Sequence, residues 1–349
     1  ASEVGRTAVV LEDEPRAFAA GVVREISLAH GSFESASFLA SPFYQIVNDA
    51  PYLHFRLAPE ATEFEYEILK DLHAAGATGY LALPLRFSNG VISGSSWVTR
   101  KPEGYTDDDV RLLRDMVPPL SLLLEIHAQR NVTRTLLNTY LGRQPGERVL
   151  AGKIRRGDVE RIEAAIWFSD LRGFTSISDT LESETLIGWL NEYFGAISAP
   201  IERHGGQILK FIGDAVLAIF PVTQELSPAA VCESALAAAL DANAELDALN
   251  AQRRSRGLPQ LEHGIALHIG EVQYGNIGAD RRLDFTVIGQ AVNVASRIEG
   301  QCARLGRRIL MSSALAAQLG DRALSVGAFE LKGVRHAQEL FAVIPVSGR

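Results

Sequence analysis

Cysteine and long apolar runs are scarce in this sequence, and each scarcity excludes a class of protein. Only two cysteines, Cys232 and Cys302, occur among 349 residues, and neither has the spacing of a disulfide framework or a zinc site. No apolar run approaches the roughly 20 residues that a membrane-spanning helix needs, and the N-terminus lacks the charged-then-apolar pattern of a signal peptide. We therefore expect a cytoplasmic protein without a membrane span.

An excess of positive charge is also missing. The formal net charge is −8, which argues against nucleic acid or an anionic membrane as a general partner. It does not exclude a nucleoside triphosphate, because a local cationic pocket can hold phosphates within an acidic protein. With 349 residues, of which 47% are hydrophobic, the chain is long and apolar enough to build two packed domains.

Two runs in the second half place a carboxylate at the end of an apolar strand. Residues 210–220, KFIGDAVLAIF, predict a β-hairpin with Gly213 and Asp214 at its turn. Taken alone, Asp214 is either a turn residue or a metal ligand. Residues 167–175, WFSDLRGFT, predict a strand that ends at Asp170, and a helix-length segment separates the two runs. Carboxylates on neighbouring strands can share two divalent cations, as two-metal phosphoryl chemistry requires.

A third run, residues 285–297, FTVIGQAVNVASR, enters a predicted helix over residues 290–305. Asn293 and Arg297 are four residues apart and share one face of this helix, away from its apolar stripe. A hydrogen-bonding amide above a guanidinium can order a ribose oxygen beside a phosphate. Without the other two runs, a solvated helix face would be the simpler interpretation.

The three runs, in this order and at this spacing, resemble the catalytic domain of class III nucleotidyl cyclases over residues 162–343. The resemblance implies that Asp170 and Asp214 bind two divalent cations, Mg²⁺ or Mn²⁺, with the backbone carbonyl of Leu171 as a further ligand. It also implies contacts to the triphosphate from Gly173, Phe174, Thr175 and Lys332. Arg297 then stabilises charge in the transition state and Asn293 orients the ribose, whereas Arg172 receives no role.

The resemblance further implies which purine is read. Lys210 can only donate hydrogen bonds, so it suits the acceptor N1 of adenine, and Thr286 can accept from the 6-amino group. Family members that make cyclic GMP carry a carboxylate at the lysine position, and a subgroup called IIIb carries threonine at the position of Thr286. We therefore expect an adenylate cyclase that converts ATP to 3′,5′-cyclic AMP and pyrophosphate.

In this family each site lies between two catalytic domains, so the resemblance implies a homodimer with two equivalent sites. A guanylate cyclase is the nearest rival in chemistry, and Lys210 disfavours it. A catalytically inactive, nucleotide-binding partner of another cyclase is the rival from a different class. Against it, all six principal positions are present: Asp170, Lys210, Asp214, Thr286, Asn293 and Arg297.

The first half alternates strand-like and helix-like segments. A predicted hairpin over residues 79–99, with its turn at 88–90, precedes a predicted helix that starts near Thr106. This arrangement resembles the C-terminal half of a GAF sensor domain, which implies a small-molecule effector, although a GAF-like fold that serves only dimerisation remains open. Pro118 and Pro119 are expected to kink the helix.

We therefore predict an α+β protein with three segments. Residues 1–125 form a GAF-like α/β regulatory domain, residues 126–160 a helical linker, and residues 161–349 the cyclase domain. The cyclase domain is predicted to have a ferredoxin-like βαββαβ core with its helices packed on one side of the sheet. A glycine-punctuated hairpin is predicted at residues 270–278, and further strands are predicted at 308–311, 328–331 and 340–343.

Overall fold

The structure is a computed structural model that describes residues 7–12, 22–27, 35–174, 178, 181–280 and 282–344. The chain divides into two compact units, Ala1–Leu136 and Leu137–Arg349. In the described residues, no helix combines the length and the apolar character that crossing a membrane would require. Cys232 and Cys302 are both buried, and they are not bonded to each other.

The first unit contains two small antiparallel sheets and four helices among its described residues. Strands β1 (Thr7–Glu12) and β2 (Val22–Ser27) pair with each other, and β3 (Leu53–Arg56), β4 (Gly79–Arg86) and β5 (Ile92–Thr99) form a sheet in that order. The helices are α1 (Ala36–Leu39), α2 (Pro42–Val47), α3 (Glu67–Ala74) and α4 (Asp107–Leu141), of which the last five residues of α4 belong to the second unit. The hairpin predicted over residues 79–99 is confirmed as β4 and β5.

Helix α4 is held to the β4–β5 hairpin of the first unit by apolar and polar contacts. Val110 is buried in a cluster with Leu81 and Leu83 of β4. The backbone N–H of Ser88, in the hairpin turn, donates to Glu125 Oε2 at 2.9 Å. The helix continues through Pro118 and Pro119, so the proline pair does not end it.

The second unit contains eight strands and five helices among its described residues. The helices are α5 (Arg143–Leu150), α6 (Ser183–Arg203), α7 (Pro228–Ser255), α8 (Gln290–Cys302) and α9 (Ser313–Leu319). The strands are β6 (Val159–Leu171), β7 (Gln207–Ile212), β8 (Ala215–Pro221), β9 (His263–Ala279), β10 (Arg282–Ile288), β11 (Ile309–Ser312), β12 (Ala323–Phe329) and β13 (Gln338–Val343).

The sheet of the second unit runs in the order β12-β13-β11-β9-β6-β8-β7, and β10 pairs with β9. Its central part, β9-β6-β8-β7, has α6 after β6 and α7 after β8, which is the βαββαβ arrangement, and the α+β class is therefore confirmed for this unit. The prediction that the helices lie on one side is wrong. Ala165 and Trp167 of β6 pack towards α6 and α7, while Ala164 and Ile166 pack towards α8. A strand that is apolar on both faces needs cover on both.

The predicted hairpin at residues 270–278 is also wrong, because these residues continue β9 without a turn. The glycines in this segment instead leave room for the backbone of a neighbouring strand. A Cβ built on Gly275 would lie 2.1 Å from the carbonyl oxygen of Asp158, and the φ of Gly275 is +153°. The true connection follows Ala279, where β9 pairs antiparallel with β10. Strand β12 spans Ala323–Phe329, so it overlaps the predicted range 328–331 only at its last two residues.

Candidate active site

Asp170 and Asp214 lie together at one end of the central strands. Strands β6 and β8 are antiparallel neighbours in which Ser169 pairs with Val216, so the residues just beyond this pair come to the same edge of the sheet. Gly213, at φ +66°, makes the tight β7–β8 turn that brings Asp214 there. Burial first, and then hydrogen bonding and charge repulsion from Asp214, raise the pKa of Asp170 to about 7. Its Oδ1 is buried and has no hydrogen-bond partner among the residues that the structure describes.

A buried polar layer under Asp170 fixes the end of β6. The Nε1–H of Trp167 donates to Ser169 Oγ at 3.0 Å, and the Tyr193 hydroxyl donates to the same oxygen at 3.3 Å. The ring of His263 meets the Tyr193 ring edge-on, with centroids 6.0 Å apart. These side chains come from β6, α6 and β9, so three elements set the position of one carboxylate.

The segment after Asp170 turns sharply and is anchored by a residue to which the sequence assigned no role. Gly173 has a φ of +70°, and Phe174 packs against the main core. Arg172 accounts for the anchoring: its backbone N–H donates to the Glu262 carbonyl at 2.8 Å and its Nη2 to the Arg307 carbonyl at 2.7 Å. Leu171 is buried at the end of β6, and Thr175 lies outside the described residues.

The two residues predicted to read the purine lie on β7 and β10 of one chain, two strands that do not pair with each other. Lys210 is on β7, and its Nζ donates to Asp284 Oδ2 of β10 at 3.0 Å. Thr286, only 7% exposed, is two residues along the same strand and therefore on the same face as Asp284. Asp284 was not singled out from the sequence, because its proximity to Lys210 depends on the β9–β10 turn that was misplaced.

Asn293, Arg297 and Lys332 are exposed. Asn293 and Arg297 lie on α8, and Lys332 follows β12. Within the described part of the chain, no hydrogen bond or ion pair joins any of them to Asp170 or Asp214. One chain therefore brings together the two aspartates, and separately Lys210 with β10, but leaves the α8 pair facing outwards.

Glu299 is a third acidic residue near the aspartates, and the sequence did not single it out. A Cβ built on Gly264 would lie 2.5 Å from Glu299 Oε1, and Gly264 is the β9 residue that pairs with Asp170. Burial raises the pKa of Glu299 to about 7, and the charge of Asp214 also raises it, against the lowering effect of Arg172. The sequence did contain one indication of Glu299: it is a charged residue close to Ile298 and Cys302, on the buried side of an amphipathic helix.

The aspartate pair suits hard divalent cations such as Mg²⁺ or Mn²⁺. Carboxylate oxygens are the ligands that these ions prefer, and Mg²⁺ is commonly held by one or two carboxylates together with water and substrate phosphates. The unpartnered, buried Oδ1 of Asp170 is an acceptor that a cation would satisfy. Among the described residues, no three carboxylate, imidazole or thiol groups are arranged to enclose one ion, which fits a site completed by substrate.

Comparison with known proteins agrees with this geometry. The sequence profile of the family described as "Adenylate and Guanylate cyclase catalytic domain" matches residues 159–344, more than half of the chain. "Adenylate cyclase 1" of Rhizobium meliloti is 34% identical over 190 residues, which are 53% of this chain and 28% of that protein. "Adenylate cyclase" of Anabaena cylindrica is 39% identical over 158 residues, which are 44% of this chain and 30% of that protein.

A solved structure supports the same fold. The structure of a bacterial light-regulated adenylyl cyclase matches with a TM-score of 0.55 at 27% identity, covering 65% of each chain. The matched regions span less than a third of the two curated relatives. Through residues 159–344, this chain belongs to the adenylate and guanylate cyclase catalytic-domain family.

Proposed function

We propose that this protein is an adenylate cyclase, which converts ATP to 3′,5′-cyclic AMP and pyrophosphate. The observation that carries the proposal is the contact between Asp170, with its unpartnered buried oxygen, and Asp214 at the strand ends of a cyclase-family sheet. The adenylate cyclases named in Rhizobium meliloti and Anabaena cylindrica, which match this half of the chain, support ATP as the substrate.

In the proposed reaction, the ribose 3′ oxygen forms a bond to the α-phosphorus and its proton is released. The bond between the α-phosphorus and the oxygen that bridges it to the β-phosphorus breaks, and pyrophosphate leaves. Asp170 and Asp214, with the carbonyl of Leu171, would hold two divalent cations. When bound, these cations supply acidification of the 3′ hydroxyl and neutralisation of the leaving pyrophosphate. Arg297 binds the phosphoryl oxygens as charge spreads over them, a role worth roughly 10³–10⁵ in rate in related chemistry.

The remaining roles concern binding and orientation. Asn293 orients the ribose, and the triphosphate is bound by Gly173, Phe174, Thr175 and Lys332. Lys210 donates to adenine N1 and Thr286 accepts from the 6-amino group.

Guanylate cyclase activity is the second candidate, because the matched family includes both activities. Competing ATP and GTP in one assay separates them, and a kcat/KM ratio favouring GTP would reject the adenylate assignment.

We further propose that the enzyme is a homodimer with two equivalent sites. Asn293 and Arg297 are exposed, and their side chains form no hydrogen bond or ion pair among the described residues, which supports a role for them in the partner's site. In each site, one chain supplies Asp170 and Asp214, and the other supplies the α8 pair and the purine-reading residues.

Mixing two inactive variants tests the activity and the dimer together. Asp214→Ala and Arg297→Ala should each abolish cyclic AMP formation from ATP and Mn²⁺. After equal mixing and subunit exchange, the rate should recover to roughly a quarter of wild type, because half of the dimers are mixed and each has one intact site. Differently tagged subunits establish that mixed dimers form. Mixed dimers without any recovery would contradict the shared site.

The first part of the chain is proposed to regulate this activity. We propose residues 1–125 as a GAF-like regulatory domain that binds a small-molecule effector, residues 126–160 as a helical linker, and residues 161–349 as the catalytic domain. The three-stranded β3-β4-β5 sheet followed by the long α4 is the supporting observation. Deleting residues 1–125 should change the rate of cyclic AMP formation, and an unchanged rate would contradict regulation by this part.

A further inference from the structure

Helix α8 carries functional groups on two opposite sides. Asn293 and Arg297 are exposed, whereas Glu299 turns inwards to the sheet. At 100° per residue, Glu299 projects about 200° from Arg297 around the helix, so the two cannot serve the same site from one chain. We propose that Glu299 is a positioning residue that strengthens divalent-cation binding by Asp170 and Asp214 of its own chain, while Arg297 acts in the partner's site; this rests on the proposed cyclase activity.

The first step is the location of the Glu299 carboxylate. Its Oε1 lies against Gly264, at 2.5 Å from where a Cβ on that residue would be. Gly264 pairs with Asp170 across β6 and β9. The absence of a side chain at position 264 is therefore what lets Glu299 approach the strand beside Asp170.

The second step is the charge around the aspartates. Asp170, Asp214 and Glu299 act on one another electrostatically, and the cation that faces Glu299 is Arg172. Arg172 is directed elsewhere by its hydrogen bond to the Arg307 carbonyl at 2.7 Å and its approach to Glu262 at 3.8 Å. Within the described residues, no ion pair joins Arg172 to Glu299. Arg172 therefore offsets the charge of Glu299 only in part, and the remaining charge favours a cation at the aspartate pair.

The third step separates this role from that of a ligand. No group of three carboxylate, imidazole or thiol side chains encloses an ion among the described residues. Glu299 consequently acts on the two aspartates through its charge, from a position for which the missing side chain of Gly264 leaves room. Neighbours of this kind typically change metal affinity by about 10- to 100-fold when altered.

Direct Mn²⁺ binding to the full chain without nucleotide tests the proposal independently of turnover. Free Mn²⁺, followed by its electron paramagnetic resonance signal, should show roughly tenfold weaker binding for Glu299→Gln, which keeps the size and removes the charge. Glu299→Asp keeps the charge and should bind Mn²⁺ more tightly than the Gln variant. The exposed Glu202→Gln on α6 is the matched control and should bind like wild type.

Two results of this titration would overturn the proposal. One is wild-type Mn²⁺ affinity in Glu299→Gln with a native circular dichroism spectrum. The other is equal Mn²⁺ affinity in Glu299→Asp and Glu299→Gln, since charge then has no part. If the Gln variant fails to fold, the Asp variant still decides: a loss as large as that of Asp214→Ala contradicts a role exerted through charge alone.

Placement in the mixed dimer tests which site Glu299 serves. In the mixture described above, the intact site takes its aspartates from the Arg297→Ala subunit. Adding Glu299→Gln to that subunit should raise the Mn²⁺ concentration for half-maximal rate by roughly tenfold, whereas adding it to the Asp214→Ala subunit should not. The reverse pattern, or equal effects, would refute action within one chain. Failure of the cyclase proposal is distinct, because recovery would then be missing before Glu299 is altered.

Discussion

Lys210 and Asp284 show how a side chain that the sequence did not single out can define a binding position. An ammonium group has three N–H donors, and the bond to Asp284 Oδ2 uses one of them and fixes the direction of the others. Because Asp284 and Thr286 share a face of β10, both ends of the proposed adenine contact depend on the same strand. The ion pair thus acts as a support for purine recognition.

Asp284→Ala is expected to lower kcat/KM for ATP by about tenfold and to reduce discrimination against GTP. The reason is that a hydrogen bond to a charged group contributes roughly 1.5–3 kcal/mol, part of which orients Lys210. Steady-state rates with ATP and with GTP measure both quantities. Asp280→Ala, at an exposed aspartate paired with Arg156, is the control and should leave both unchanged. Higher ATP efficiency in Asp284→Ala would instead identify Asp284 as a competitor for Lys210.

The raised pKa values at the aspartate cluster predict a pH dependence of stability. The pKa of Asp170 is raised to about 7 from 3.8, chiefly by burial and then by Asp214. Between these values the metal-free folded protein holds a proton that the unfolded chain has released, so this contribution to stability is lost as pH rises through 7. In EDTA, Asp214→Asn should therefore melt higher than wild type at pH 8, by about 2 °C, with a smaller difference at pH 5.

Differential scanning fluorimetry across pH measures this difference, and comparing two proteins cancels the histidine contributions. Mn²⁺ at pH 8 should raise the melting temperature of wild type and have little effect on Asp214→Asn. A melting temperature for Asp214→Asn that stays below wild type at pH 8 in EDTA would show that the Asp214 charge is not a source of strain.

At the scale of single residues, sequence predicted what local pattern determines and missed what packing determines. Asp170 and Asp214 were identifiable because each ends an apolar run and one of them follows a turn glycine. Glu299 and Asp284 were not, since their importance comes from the approach of α8 to Gly264 and of β10 to β7. Both contacts join residues far apart in the chain, so no local spacing reports them.

At the scale of elements, the difference between local pattern and long-range packing explains why the sequence predicted helices better than it predicted the turns next to the long strand β9. Helix α7 begins at a signal that lies within a few residues of sequence: Ser227 Oγ accepts from the Ala230 N–H, and Pro228 follows. In β9, by contrast, a glycine can either make a turn or leave room for a neighbouring backbone, and the sequence does not distinguish the two cases. Gly275 leaves room for a neighbouring backbone, because the carbonyl of Asp158 occupies the position of its missing side chain.

Gly275→Ala should therefore destabilise the second unit by about 2 kcal/mol or more, since the new Cβ would lie 2.1 Å from a backbone oxygen that cannot easily move. Gly195→Ala on α6 is the matched control. Nothing lies within 4 Å of its Cβ position, and alanine in a helix should stabilise by about 0.5–1 kcal/mol. Urea unfolding followed by tryptophan fluorescence measures both. An unchanged free energy of unfolding in Gly275→Ala would mean that β6 and β9 separate readily at this point.

At the scale of the whole molecule, the outer face of α4 is the feature that bears on assembly. Leu112, Met116, Leu123 and Ile126 are 47–65% exposed. They are spaced by four, seven and three residues, which fits the alternating three- and four-residue spacing of a coiled-coil seam with Pro119 at the remaining position. The opposite face is covered, because Ser121 and Glu125 are buried. Since the proposed active site requires two chains, a second copy of α4 is the natural partner for this seam.

Replacing Leu123 and Ile126 with glutamate should weaken the dimer, because like charges would then face each other across the seam. The expected result is a specific activity that falls on dilution, with the midpoint shifted to at least tenfold higher protein concentration. Analytical ultracentrifugation measures the matching shift in mass. Arg111→Glu, which changes the charge of an exposed α4 side chain by the same total amount, is the control. If the double variant retains wild-type activity and mass at low concentration, the catalytic units alone hold the dimer together and the α4 face has another purpose.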